Sequence, residues 1–431
     1  VSLLRLPCVL LLFAALAQAC AGDKTKGLPD GGAGDAGSVE AEPRCASTLA
    51  TDKTVDIDTM GKDQLQASVA FDGAVWVAYD QADADGSGGF DIWATRLACD
   101  GSVLSAPFRV NTATKTNDLN PVIAARNGRV LIAWLTDDGS TPNNLTIRYR
   151  LYGSDGTPVL AEERTLATNR AGLPVAVNAW QASVAALPEG FAIAGTRAPL
   201  LMGGFQAFVQ RIDGMGVPVG ATIDAPAETG IEHSDTALAS SPDGTLFWAW
   251  GRQRDVTDLA VMHAKIVPGG STAQPNPPVE ATSGRTGSYP AMATGWGAQP
   301  TTYLAFGSQL ESLSTILVTD ATSFDLSAPP MELGPSTANS FAPTIAPATG
   351  GGAVAWFIQP QGARELMVQG FGYDGKKWTP GISQTISAPL PSEVAPAPPG
   401  FVHLSGKTYF LGWGQGTSPG YVLKGRFLTL D

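Results

Sequence analysis

Four carboxylates, Asp118, Glu232, Asp235 and Glu393, stand in separate stretches of this chain among other polar residues. Two of them, brought together, could serve as general acid and base, and several could hold a hard cation. Held apart, they cap turns and meet water. His233 and Tyr289 stand beside them as further candidate ligand contacts. His233-Ser234-Asp235 has the residue types of a hydrolytic triad, but a triad is a geometry rather than a tripeptide, and these residues read as a turn. The histidines His233, His263 and His403 are too widely separated to match a zinc site, and His263 reads as structural. The acidic run from Asp80 to Asp91 offers Asp83 and Asp85 for calcium, yet lacks the closing glutamate of a calcium loop. A solvated turn is expected there, with calcium binding left open, and no catalytic residue, metal or cofactor is assigned.

The elements that position these residues are legible in a repeat. A small residue followed by an aromatic returns at Ala78-Tyr79, Ala133-Trp134, Ala249-Trp250, Ala305-Phe306, Ala355-Trp356 and Gly412-Trp413, and Ala194-Gly195 fills the one gap. From Tyr79 the steps are 55, 61, 55, 56, 50 and 57 residues, too regular for chance and too long for a solenoid coil. Seven units imply an all-β, seven-bladed propeller of four-stranded blades. Each unit holds a first strand of small residues, such as Ser68-Val69-Ala70, then a tight turn, then the strand carrying the aromatic, then an alternating strand such as Ile92 to Arg96 and a short fourth one. The repeated aromatics are expected between blades rather than on a binding platform. The connections from strand four to strand one form a polar ring at the upper mouth: Asp63-Gln64, Asn117-Asp118, Trp180-Gln181, Glu232 to Asp235, Ser288-Tyr289, Asn339-Ser340 and Ser392-Glu393.

The last unit ends at Leu430-Asp431 without a fourth strand, while Val55 to Asp58 precedes the first and has a fourth strand's form. The N-terminal segment is therefore expected to complete the seventh blade, which removes two exposed edges. Cys45 and Cys99 fall on the same lower face in neighbouring blades. A disulfide between them would lock the closing strand, the alternative being two unpaired thiols.

Residues 1–20 read as an export signal, with Arg5, the apolar stretch Val9 to Leu16, and Ala17-Gln18-Ala19 before Cys20. Acylation of Cys20, or ordinary cleavage before it, are the two outcomes that follow. Residues 21–45 are a Gly- and Asp-rich tether with too little apolar content to pack, and residues 46–431 form the propeller. A formal charge of -12 with no basic stripe excludes nucleic acid as a partner. Only 15% of the residues are charged, while 50 glycines and 32 prolines serve the many turns of an all-β chain.

Over about residues 54–431 the chain resembles seven-bladed β-propellers, and with its N-terminus it is similar to the propeller lipoproteins of Gram-negative bacteria. It carries no Trp-Asp, kelch or quinoprotein signature. Ser241 to Trp248 is similar to the Asp-box of sialidases, in one unit and with its glycine and aromatic out of register. The resemblance implies a monomer held at the cell envelope by its lipid, periplasmic or surface-exposed, or secreted if Cys20 is not acylated. A non-enzymatic binding or scaffolding role toward a protein or glycan is expected. The alternative is a glycoside or polysaccharide hydrolase using the carboxylates at the mouth.

Overall fold

The computed structural model describes Cys45 and residues 48–431 except 59–62, 84–88, 114–115, 138–144, 167–181, 198–203, 256–257, 283–284, 297–299, 311–312, 325–328, 335–338, 360–363, 387–392, 395–396 and 418–419. The signal segment, Cys20, the tether before Cys45, Asp85 and Trp180-Gln181 lie outside the described residues.

Seven antiparallel sheets form a ring, and among the described residues all regular structure is β. Blade one runs Gln64–Phe71, Val75–Ala82, Phe90–Leu97 and Val103–Arg109 from the axis outward. The inner strands of blades two to six are Asn117–Arg126, Ser183–Leu187, Glu232–Ser240, Thr286–Thr294 and Ser340–Ala348. In blade seven the inner position is shared by Glu393–Val394 and Gly400–Ser405. The outermost strand of blade seven is Thr54–Asp58, paired antiparallel with Val422–Thr429, so the chain ends close one sheet as expected.

Each second strand is buried on both faces, and its alternation sends successive side chains to opposite neighbours. Seven hydrophobic clusters result, one at each blade junction. Trp134 points back into the cluster shared with blade one, while Ala133 packs forward against blade three. Burying one such side chain contributes about 1.5–3 kcal/mol. Blade three lacks its aromatic because the place is taken: a Cβ on Gly195 would stand 2.7 Å from Ile147 Cδ1 of blade two.

Two ties secure the closure. Cys45 and Cys99 are joined by a disulfide, with Cα atoms 5.9 Å apart. Asp58 of the closing strand accepts hydrogen bonds from Gln64 Nε2 and Tyr79 Oη, both 2.8 Å, and Gln64 Oε1 accepts the Leu423 amide at 2.8 Å. Four strands from both ends of the chain thus share one buried polar knot.

Candidate functional site

Asp118 lies on the first strand of blade two and is completely buried. Its carboxylate accepts four hydrogen bonds, from Asn111 Nδ2 (2.7 Å), Thr116 Oγ1 (2.8 Å), Trp134 Nε1 (3.0 Å) and Thr136 Oγ1 (2.6 Å). Burial pushes its pKa up, and the hydroxyl and indole donors oppose that rise. The same register place recurs in other blades. Gln64 pairs with Gln81, Asp118 with Thr136, His233 with Arg252 and Ser340 with Ile358, each partner lying two residues beyond the recurrent aromatic. In blade four His233 is buried with its ring 6.0 Å from that of Trp250, and its Nδ1 accepts the Ala207 amide of blade three at 3.1 Å. Burial first, and then the positive charge of Arg252, lower the His233 pKa to about 4. Gln64 accepts an amide of the preceding blade in the same way. Asp118 and His233 are therefore buried partners within and between blades rather than rim groups. His233-Ser234-Asp235 belongs to a strand, Glu232–Ser240, and not to a turn, because Glu232 to Ser234 pair with Gln253 to Gly251 and the ladder resumes at Thr236 after Asp235.

The axial mouth is built by residues two or three places further on. The first strands of blades two, four, five and six break register at a bulge, and each carries a residue in the left-handed region: Asn120 (φ 55°), Asp235 (φ 28°), Tyr289 (φ 52°) and Ala342 (φ 49°). A bulge re-aims a side chain, and none of these four is the glycine that such a φ favours. Three are followed by proline, Pro121, Pro290 and Pro343, whose missing amide is tolerated where the ladder is interrupted. Carboxylates of one blade hold the bulge of the next. Asp80, almost completely buried, accepts the Leu65, Gln66 and Asn120 amides at 3.3, 2.9 and 3.3 Å. Asp235 accepts the Tyr289 amide, and burial pushes its carboxyl up to about 6. Tyr289 is 43% exposed, and burial and the nearby Asp235 charge raise its phenol.

Within this ring lies a cavity of about 240 Å³ to which all seven blades contribute. Its polar lining includes Gln66, Ser68, Asn120, Ser183, Thr236 and Tyr289, and among the described residues no charged side chain lines it. Of the ligand contacts expected from the sequence, Tyr289 alone is among the described residues that line it, and its backbone is held by Asp235. Asp118 is in blade two, Asp235 in blade four and Glu393 in blade seven, and none of the three is among the residues that line the cavity. Glu232 is exposed and opposite Gln253, and Glu393 is paired with Gly416. The recurring proline before the small residues of the first strand was the available sequence signal for the mouth.

In the acidic connection of blade one, Asp91 neighbours Asp83 but is ion-paired with Arg109 and accepts Asn111 Nδ2 at 2.8 Å. Among the described residues no group of three or more His, Cys, Asp or Glu is placed to hold a metal ion. Within the Ser241 to Trp248 segment, Ser241 to Thr245 form a turn in which Asp243 accepts the Thr245 amide at 3.0 Å, and Leu246 to Trp248 begin the next strand. His263 is wholly buried and stacked on Phe324 at 5.0 Å, and burial lowers its pKa to about 4.

No family model matches the chain, and no curated protein matches it. Among solved structures it is similar to an ulvan lyase, a polysaccharide lyase, with a TM-score of 0.54 at 8% identity over 88% of this chain and 96% of that one. It is also similar to a protein of unknown function from Dyadobacter fermentans, with a TM-score of 0.51 at 12% identity over 88% and 98% of the two chains. The β-propeller domain of the trilobed protease from Pyrococcus furiosus aligns with a TM-score of 0.46 at 9% identity, over 86% and 97%. At such identities the likeness speaks for the fold alone, and the seven sheets in a ring make this chain a seven-bladed β-propeller.

Proposed function

We propose that this protein is a non-catalytic binding or scaffolding propeller of the bacterial cell envelope, anchored through an acylated Cys20 and presenting its upper face to a glycan or protein partner. The observation that supports this reading is the contrast between the mouth and the buried carboxylate. The axial mouth is lined by neutral side chains from every blade, whereas Asp118, the best-formed carboxylate site, is closed by four donors of its own surroundings. A carboxylate so held is neither exposed to a substrate nor free to exchange its proton with one.

The alternative is a glycoside or polysaccharide hydrolase. Asp235 favours it, since a carboxyl pushed up to about 6 suits a general acid, and Glu232 on the same strand would have to act as its partner. Incubating the full chain with envelope polysaccharide and envelope protein from a Gram-negative cell separates the two readings. The binding propeller retains one of them on sedimentation and releases no new reducing ends. Reducing ends that appear with the native chain and vanish in Asp235→Asn establish the hydrolase instead.

A further inference from the structure

Thr236 is 3% exposed, lines the axial cavity, and its hydroxyl has no hydrogen-bond partner among the described residues. A buried hydroxyl left without a partner is destabilising and calls for an explanation, and among the described residues Thr236 alone carries such an atom on this lining. It sits in blade four beside Asp235, whose carboxyl holds the Tyr289 backbone. Among the described residues Tyr289 is the one large aromatic on the cavity that is substantially exposed, and its left-handed backbone is fixed from two sides, by Asp235 on its amide and by Pro290 after it. Around the same space stand the amides of Gln66 and Asn120. Strain held by its surroundings at a ligand-sized opening is a mark of a pre-organised site.

From these groups we infer that the axial cavity is a binding subsite for one terminal residue of a neutral glycan. The inference rests on the binding reading above and narrows its partner. A pyranose ring offers a C–H face to the Tyr289 ring and hydroxyl edges to Thr236 and the two amides, and each of those groups can both donate and accept. The charge pattern selects against acidic sugars. With no cationic side chain on the lining among the described residues, a carboxylate or sulfate entering it would lose its hydration without a counter-charge. Among the described residues no carboxylate is on the lining either, which leaves nothing there to reward a cation. Size and position do the rest. About 240 Å³ is below the roughly 300–1,000 Å³ of drug-sized pockets, so it holds one ring. All seven blades enclose it, so it is approached along the axis and takes the end of a chain rather than its middle.

The test is a titration of the full chain with methyl glycosides of glucose, galactose, mannose, rhamnose and N-acetylglucosamine, and with glucuronate, followed by saturation-transfer NMR and calorimetry. At least one neutral glycoside binds, with a Kd on the order of 1 mM as befits a single sugar, and glucuronate binds more weakly or not at all. Thr236→Val and Tyr289→Ala each weaken that glycoside about tenfold, the loss of one good contact. Thr236→Val leaves the melting temperature unchanged or raised, because the hydroxyl removed had no protein partner, and this readout separates ligand contact from structural support. Neutral glycosides that fail to bind overturn the inference, as does binding that both variants leave intact, which would assign the Thr236 hydroxyl to channel water. If envelope polysaccharide or protein is still retained in either case, the inference alone falls. If nothing is retained, the binding reading falls with it.

Discussion

Asp118 and Glu232 look alike in the sequence and differ by what surrounds them. Asp118 receives four donors in a closed pocket, whereas Glu232 is exposed on the first strand of blade four. Asp118→Ala strands those donors and is expected to cost roughly 3 kcal/mol in chemical denaturation, whereas Glu232→Ala stays within about 0.5 kcal/mol. The buried histidines give a pH signature with a definite sign. His233 and His263 both have their pKa lowered to about 4 from 6.5, so between these values the unfolded chain binds more protons and stability falls as pH falls. Asp235, raised from 3.8 to about 6, acts in the opposite sense, since its folded form binds the proton first and stability rises as pH falls below 6. The two effects partly cancel in the native protein, and a variant isolates one of them. His263→Phe keeps a ring against Phe324, and by pH 4 it is expected to gain on the native chain by roughly 3 kcal/mol relative to their difference at pH 7. Parallel melting curves at pH 4 and pH 7 would refute that assignment.

At the level of strands, the regular part of each blade was legible and the irregular part was not. The small residue and aromatic of each second strand announced the repeat because both faces of that strand are buried, so packing constrains every residue in it. Gly195 shows how strict the constraint is, since Ile147 and Phe208 occupy the space of its missing side chain. Gly195→Ala is expected to destabilise by about 1–3 kcal/mol, and Ile147→Val, which withdraws the contacting methyl, to restore part of the loss in a double-mutant cycle. The polar ring was misplaced for a related reason. The sequence put Asp118 and His233 in the connections before the first strands, whereas those strands run on past a one-residue bulge to include them, and the ladder turns them into the blade. Asn120-Pro121, Tyr289-Pro290 and Ala342-Pro343 marked those bulges, but three Xaa-Pro pairs in a chain of 32 prolines carried no obvious message until the strands were paired. Thr236 could not have been found from the sequence at all, because its significance is a missing partner in space.

The whole molecule presents two unlike faces around one axis. The ring is closed by strand exchange between its ends, by the Asp58, Gln64 and Tyr79 knot, and by the Cys45–Cys99 disulfide, so the seven inner strands hold the mouth as a fixed frame. At the upper end of that frame stands Tyr289, while Met215, 60% exposed, lies in the lower turn of blade three. The central claim is that the upper axial mouth is the working face. Hydroxyl-radical footprinting of the full chain, alone and saturated with the envelope fraction it retains, measures both residues at once. The account predicts that oxidation of Tyr289 drops while that of Met215 is unchanged, and protection of Met215 with Tyr289 left reactive would contradict it.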